Sequence, residues 1–304
     1  MTTGPLLVVD APSILYRSYF AMPSDLLGAD RRPVGAVLGF IRFVIGEIDA
    51  ITDARAGIAG PRAVVICFGA EEASYRVELL PAYHAHRDPM PDDLRHQFAL
   101  AAEVCALLGW RVSQHETLEA DDLLGAYANV EHAERAPCLL LTGDRDLFQC
   151  VTANVRVRFP QGREKGVATV DPAGVAEWVG VAPSQIPDLI ALRGDTSDGI
   201  PGAAGIGAKT AAALLGQHAT LERVIAAATA VAEGTAKPAS PLSQKRAESI
   251  AGSADDLRIY QQVATLQPVP VDRPADQETN WMLGADAARE RGMERLAQTL
   301  ERRS

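Results

Sequence analysis

Apolar residues in the first part of the chain fall into short, β-branched runs separated by longer stretches with a helical period. The runs are Leu6–Val9, Ala63–Phe68, Cys138–Leu141, Val155–Phe159 and Val167–Val170. Each has strand length. Between them, Val34–Ile51, Leu94–Leu108 and Leu118–Tyr127 read as helices. In the last, Ala120, Leu123, Leu124 and Tyr127 share one face at the i, i+3, i+4, i+7 spacing. Strands alternating with helices predict a mostly parallel sheet covered by helices on both faces. From about Pro183 the pattern turns helical with Gly and Pro punctuation. Residues 235–241 read as a loop, residues 267–274, with their three prolines, as extended chain, and the C-terminal end as helix. The expected division is an α/β unit over 1–182 and a helical unit over 183–304, and no repeat period is evident.

Bulk properties narrow the class. At 304 residues and 47% hydrophobic content the chain can bury a sizeable core. No run approaches the ~20 consecutive apolar residues of a membrane span. The segment Met1-Thr2-Thr3-Gly4-Pro5 carries no basic residue and the apolar run behind it stops at Asp10, so it does not read as a signal peptide. Cys67, Cys105, Cys138 and Cys150 are scattered through apolar segments without a C-x-x-C pair. That usage predicts reduced thiols and a cytoplasmic protein, and it disfavours zinc. The net charge of −10 argues at first sight against nucleic acid. Much of the excess, however, sits in eight carboxylates, and bound divalent cations would offset part of it.

Those eight are Asp10, at the end of the first strand, and three clusters: Glu119-Ala120-Asp121-Asp122, Thr142-Gly143-Asp144-Arg145-Asp146 and Gly194-Asp195-Thr196-Ser197-Asp198. Carboxylates are costly to crowd unless a cation neutralises them, and hard divalent ions take oxygen ligands. Asp10 and the Asp144/Asp146 pair each follow a strand, and in parallel sheets ligands bind beyond the carboxyl ends of strands. Taken one by one, the clusters also read as turn residues, N-caps and first-turn acids favoured by the helix dipole. A further segment, Gly202-Ala203-Ala204-Gly205-Ile206-Gly207-Ala208-Lys209-Thr210, is not a nucleotide-binding phosphate loop. Ala208 separates the last glycine from Lys209, and Ile200-Pro201 rather than a strand precedes it. It reads as a Gly-rich turn between two helices, either merely tight or built to grip a phosphate diester with backbone N–H groups.

As an ordered set, these motifs resemble the 5′-nuclease or flap-endonuclease family, which includes the 5′-exonuclease domain of bacterial DNA polymerase I. The resemblance also takes in Leu15-Tyr16-Arg17-Ser18-Tyr19-Phe20-Ala21, Tyr75-Arg76 and Leu80-Pro81-Ala82-Tyr83. It implies a PIN-like α/β fold with a helical arch at about 71–97 and a helix–three-turn–helix module at about 186–215. It also implies a divalent-metal-dependent 5′-3′ exonuclease or flap endonuclease acting on DNA with a 5′ flap, a nick or a single-strand/duplex junction. The implied ligands form one group of Asp10, Glu119, Asp121 and Asp122 and another of Asp144, Asp146, Asp195 and Asp198. One Mg2+ or Mn2+ is expected to bind tightly and a second weakly or not at all. Catalytic roles fall on Asp121, Asp144, Asp146, His84 and Arg87. DNA contacts fall on Arg17, Arg76, Tyr83, Gly205, Gly207, Lys209 and Thr210, with K+ at the three-turn segment. A monomer, DNA polymerase I or other repair proteins as partners, and no membrane association complete the expectation.

Two departures from the family pattern fall where the chemistry would be. The usual Phe-Asp after the second core strand is Phe68-Gly69, which removes a carboxylate, and the lysine of the arch motif is replaced in Tyr83-His84-Ala85-His86-Arg87. The arch also sets only Arg76, Arg87 and Arg95 against six acids, with His84, His86 and His96 among them. The leading expectation is a nuclease of reduced or altered activity. The alternative is a structure-specific DNA-binding protein that has largely lost catalysis, while an RNase of the related toxin type fits less well. Arg163 and Lys165 read as a solvated hairpin with no assigned role.

Overall fold

The computed structural model of the chain describes residues 4–52, 60–162 and 164–304. The leader reading of Met1–Thr3 and the hairpin reading of Arg163 therefore lie outside the described residues. Six strands form one sheet: β1 Leu6–Asp10, β2 Ala63–Phe68, β3 Arg111–Gln114, β4 Cys138–Leu141, β5 Val155–Pro160 and β6 Val167–Val170. Their spatial order is β3-β2-β1-β4-β5-β6, parallel throughout except for β6, which runs antiparallel to β5. Chain order reverses at the junction of β1 and β4, which leaves a crevice at their carboxyl ends.

Helices cover both faces: α1 Ala11–Ala21, α2 Gly35–Ile51, α3 Ser74–Leu79, α4 Asp92–Leu107, α5 Ala120–Ala133 and α6 Pro172–Val179. The period-two alternation of β1 shows why two layers are needed. Leu6 and Val8 enter one core beside Leu124 and Tyr127 of α5, while Leu7 and Val9 enter the other with Phe40 and Ile41 of α2. All five β1 residues are buried, which explains a continuous apolar run rather than a half-polar strand. The sequence reading passed over β3. Arg111, Val112, Ser113 and Gln114 form an edge strand with a single apolar side chain, so there was no hydrophobic run to detect.

The second half is helical: α7 Ile186–Arg193, α8 Ala208–His218, α9 Leu221–Ala232, α10 Gln244–Gly252, α11 Ala254–Ala264, α12 Trp281–Glu290 and α13 Glu294–Glu301. Helices α7 to α11 share one continuous apolar core with the α5 face of the sheet. Residues after α11 then run back across the first half. Gln277 N–H donates to Arg62 O at 2.8 Å and Asn280 N–H to Leu108 O at 2.8 Å. Buried Arg62 bonds Pro274 O at 2.6 Å and forms an ion pair with fully buried Glu131. Helices α12 and α13 bury Ala285, Leu296 and Leu300 in the α2/α4 core. The tail placed with the helical unit by sequence thus packs on the α/β unit, because its apolar stripe finds its partner there. No helix among the described residues is long and apolar enough to cross a membrane.

Candidate active site

Asp10 ends β1 and is the N-cap of α1, its Oδ1 accepting Ser13 N–H at 3.0 Å. Its Oδ2 accepts the Thr142 hydroxyl at 2.7 Å, and that hydroxyl in turn accepts Asp144 N–H at 2.9 Å. One threonine thereby ties the ends of β1 and β4 together at the switch point. Asp144 Oδ1 takes Asp146 N–H at 2.8 Å, which fixes the turn into a short 3-10 helix. Asp121 comes from the first turn of α5, and Asp195 and Asp198 from the loop after α7, which a pair of backbone bonds between Asp195 and Ile200 closes. A cavity of about 880 Å³ opens over these strand ends. Asp10, Glu119, Asp121 and Asp144 form one wall, and Tyr16, Met90 and Phe98 form an apolar one.

The eight carboxylates do not share one environment. Asp10, Asp121, Asp144 and Asp146 have no salt-bridge partner among the described residues. Burial, with mutual repulsion added, raises all four. Asp10 is pushed up to about 6 by burial and by neighbouring Asp144 and Glu119. Asp121 is raised well above the carboxylate range by burial and by Asp10 and Asp144. Asp144 and Asp146 are raised by burial and by Asp198 and Asp195, with Asp144 also acting on Asp146. The other four carboxylates are each held by a cation. Asp198 shows the consequence: burial pushes it up, yet a hydrogen bond and charge from His84 with Arg87 outweigh that and hold it below its ordinary value.

Asp122, expected among the metal ligands, does not line the cavity. It is fully buried and accepts Arg76 at 3.1 Å, the Tyr75 hydroxyl at 3.1 Å, Gln267 N–H at 2.9 Å and Glu119 N–H at 3.3 Å. Arg76 and Tyr83, expected on DNA, are buried as well. Arg76 pairs with Glu119 at 3.0 Å and with Asp122, and the Tyr83 hydroxyl donates to Glu119 at 3.0 Å. Glu119 still lines the cavity, though both its oxygens already have donors, since Ala73 N–H reaches it at 2.7 Å.

Between α3 and α4 the chain folds in tight turns that pack on the Asp195–Asp198 loop. Gly199, at φ +75°, lies so close that a Cβ there would meet Ala82 O at 2.4 Å. His84, at φ +54°, is 2% exposed, stacks on Tyr83 and places Nε2 3.2 Å from Asp198. It is not presented to a phosphate as a substituted lysine would be. Arg87, half-exposed, lines the cavity and reaches Asp198 at 2.8 Å.

Gly69 is more than a missing carboxylate. A Cβ at this position would lie 2.3 Å from Ala120 N and 2.4 Å from Glu119 C. Backbone bonds from Ala70 to Leu118 and from Ser74 to Thr117 clamp the two segments together. The backbone has closed over the space that a side chain at 69 would occupy. Sequence reasoning overlooked Thr142, and also Arg193, which reaches Asp195 at 3.1 Å and acts on Asp146. Both stand in or beside motifs already singled out, and attention to acids alone hid them.

The Gly-rich turn lies between α7 and α8. Buried Ala203 and Ile206 anchor it, while Gly205, Gly207 and Lys209 are exposed and Thr210 is partly so. Gly207 caps α8 without a side-chain bond, leaving the first N–H groups of that helix facing outward. Arg17 is exposed on α1.

The donor set is all oxygen, clustered and without cation partners at four members, which fits a hard divalent ion. Among the described residues no three Asp, Glu, His or Cys side chains stand close enough to form a ready-made cage. Asp10, Glu119, Asp121 and Asp144 line the walls of a cavity instead of closing on a point.

A family model described as "5′-3′ exonuclease, N-terminal resolvase-like domain" matches residues 5–180, and "5′-3′ exonuclease, C-terminal SAM fold" matches residues 181–281. The chain belongs to the 5′-3′ exonuclease family. It is 35% identical to a 5′-3′ exonuclease of Mycobacterium tuberculosis over 90% of this chain and 88% of that protein. It is 37% identical to the thermostable DNA polymerase I of Thermus filiformis over 72% of this chain but only 24% of the polymerase. In fold it resembles the bacteriophage T5 flap endonuclease solved as a pseudo-enzyme-product complex with DNA and metal ions. That match has a TM-score of 0.64, 18% identity and 98% coverage of each chain. The matched models and the Mycobacterium tuberculosis relative are both described as 5′-3′ exonucleases.

Proposed function

We propose that the chain hydrolyses DNA phosphodiesters at 5′ flaps, nicks or single-strand/duplex junctions, using Mg2+ or Mn2+. The observation that carries this reading is the set of four carboxylates without a cation partner at the strand switch point, raised by burial and by neighbouring acids, three of which, Asp10, Asp121 and Asp144, line a cavity of about 880 Å³. Asp10, Asp121, Asp144 and Asp146 would hold the ion, with Glu119 beside them. Such an ion supplies Lewis acidity, activating water and stabilising the departing oxygen. The chain's own residues do the rest. Thr142 fixes one Asp10 oxygen and the Asp144 backbone N–H, and Arg87 offers a guanidinium at the cavity mouth for a phosphate. The α8 N-terminus with Gly205, Gly207, Lys209 and Thr210 is suited to grip the duplex backbone, with K+ at that turn.

Activity is read as reduced relative to a member with a carboxylate at position 69. Residues 1–182 and 183–304 serve as the nuclease and duplex-binding parts, with α12 and α13 bracing the former. The reading extends to a cytoplasmic monomer that works beside a DNA polymerase I or other repair proteins. Its free cysteines fit a reducing compartment. The alternative, a DNA-binding protein without chemistry, draws on Gly69 and on the burial of His84. Cleavage of a labelled 5′-flap duplex with Mg2+ or Mn2+, beside an Asp144→Ala control, separates the two. Metal-dependent incision lost in the control supports the nuclease. Retention of the flap duplex with no incision supports the binding protein.

A further inference from the structure

The second acidic group carries its own neutralising charge. Asp195 takes Ser197 N–H at 2.9 Å and the Ser197 hydroxyl on Oδ1, and Arg193 at 3.1 Å on Oδ2. Asp198 takes Arg87 at 2.8 Å and His84 Nε2 at 3.2 Å on Oδ1, while its backbone oxygen accepts His84 N–H at 3.2 Å. Two guanidiniums thus stand where the family pattern implies a second divalent ion, and together they bring the same charge. We infer that Arg87 and Arg193 take the place of that ion, so that the centre of this chain binds one divalent cation, at Asp10, Asp121, Asp144 and Asp146.

This deepens the metal-dependent reading above and rests on it. Three features make the arrangement built rather than incidental. The backbone at His84 adopts φ +54°, a left-handed conformation disfavoured for a β-carbon-bearing residue, and it does so where His84 N–H meets Asp198 O. The two loops touch backbone to backbone at Ala82 and Gly199, where no larger residue fits. Arg193 is only about a quarter exposed and sits between Asp195 and the neighbourhood of Asp146, so it is not a surface side chain that merely swings onto the nearest acid. For Asp195 and Asp198 to turn toward a second ion, each would have to abandon a guanidinium, and Asp198 a histidine as well. The four acids of the first group have no cation to abandon among the described residues.

The test is the number of Mn2+ ions bound per chain, counted by equilibrium dialysis on the full-length protein without DNA. One ion is expected in the wild type, and none at that affinity in Asp144→Asn. In Arg87→Gln/Arg193→Gln the count should rise to two, and in Arg87→Lys/Arg193→Lys, which keeps the charge, it should stay at one. Should the double Gln variant fail to fold, the single Arg87→Gln change at a half-exposed position should still strengthen the second binding event. Two ions of similar affinity in the wild type would overturn the inference and leave the metal-dependent reading standing. No Mn2+ bound in the wild type would overturn both. An unchanged count of one in the folded Gln variants would also overturn it, because the arginines would then not be what excludes the second ion.

Discussion

Asp121 and Asp122 are neighbours in the first turn of α5, and their surroundings are opposite. Asp122 points into the wall, where Arg76, Tyr75 and two backbone N–H groups hold it. Asp121 points into the cavity, where burial raises it and Asp10 and Asp144 raise it further. The same contrast divides the whole site: Glu119, Asp122, Asp195 and Asp198 are held by the protein's own cations, whereas Asp10, Asp121, Asp144 and Asp146 are not. A crowded carboxylate either has its countercharge built into the fold or waits for one from solution. The first kind holds the protein together, and the second is available for chemistry.

The largest effects should separate those neighbours. Asp121→Asn is expected to lower metal-dependent cleavage by more than about a hundredfold, while leaving the metal-free melting temperature unchanged or higher. Asp122→Ala leaves Arg76 half-paired in a buried wall and should cost about 3–5 kcal/mol of stability. Urea unfolding and flap cleavage on both variants check this. Equal stability losses in the two would erase the distinction drawn between them.

Gly69→Asp sharpens the comparison from the side of the missing carboxylate. If the position were simply vacant, the change would add a ligand and strengthen Mn2+ binding. The 2.3 Å approach of a Cβ to Ala120 N says otherwise. The variant should displace the first turn of α5, lose roughly 2–4 kcal/mol and bind Mn2+ no more tightly. Gly69→Ala, which adds only the Cβ, should lose a similar amount of stability. Tighter Mn2+ binding by the Asp variant would show that the backbone yields there.

Proton linkage sets the two groups against each other directly. Asp10 is raised from 3.8 to about 6 by burial, so the folded state holds its proton more tightly than the unfolded chain does. Its contribution to stability is fully present below about pH 4 and is lost as pH rises through about 6, a swing of about 3 kcal/mol. Asp121, Asp144 and Asp146 act in the same direction. Asp198, lowered, runs the other way: its contribution is present above about pH 4 and is lost as pH falls through its depressed folded value. Between pH 8 and pH 5 the first group prevails, so the protein in EDTA should melt at a higher temperature at pH 5. Saturating Mn2+ at pH 8 should produce a rise of the same sign. Asp10→Asn, which keeps an acceptor for Ser13 but sets an amide NH2 against the Thr142 hydroxyl, should flatten the pH response. A melting temperature that falls steadily from pH 8 to pH 5 would contradict the unpaired state of the first group.

The parts of this architecture with strong local signals were legible in the sequence. Buried parallel strands announce themselves as apolar runs, and β2, β4 and β6 have the expected limits to the residue. Edge strand β3 and the docking of α12 and α13 were not legible, the first because it is polar and the second because only packing decides which core a stripe joins. In the site, the motifs located the acids but could not sort them. Whether a carboxylate meets Arg76 or empty cavity depends on the direction of one side chain on a helix turn. Likewise, Arg76 and Tyr83 look in sequence like groups for DNA, and the fold turns them inward to hold Glu119.

The smallest effect lies at the turn before α8, a third region whose cation is not paired inward. Lys209 is exposed at the N-terminus of α8, and no salt bridge to it is seen among the described residues. If it contacts a phosphate, Lys209→Ala should weaken duplex binding by about 1 kcal/mol and lower the slope of log affinity against log salt by about one. The Mn2+ count and the melting temperature should not move, because Lys209 touches neither acidic group. Binding titrations of a nicked duplex at several salt concentrations measure this. An unchanged salt slope would place the duplex elsewhere on the molecule. A changed Mn2+ count would mean that the turn and the acidic groups are coupled, although no salt bridge joins Lys209 to them among the described residues.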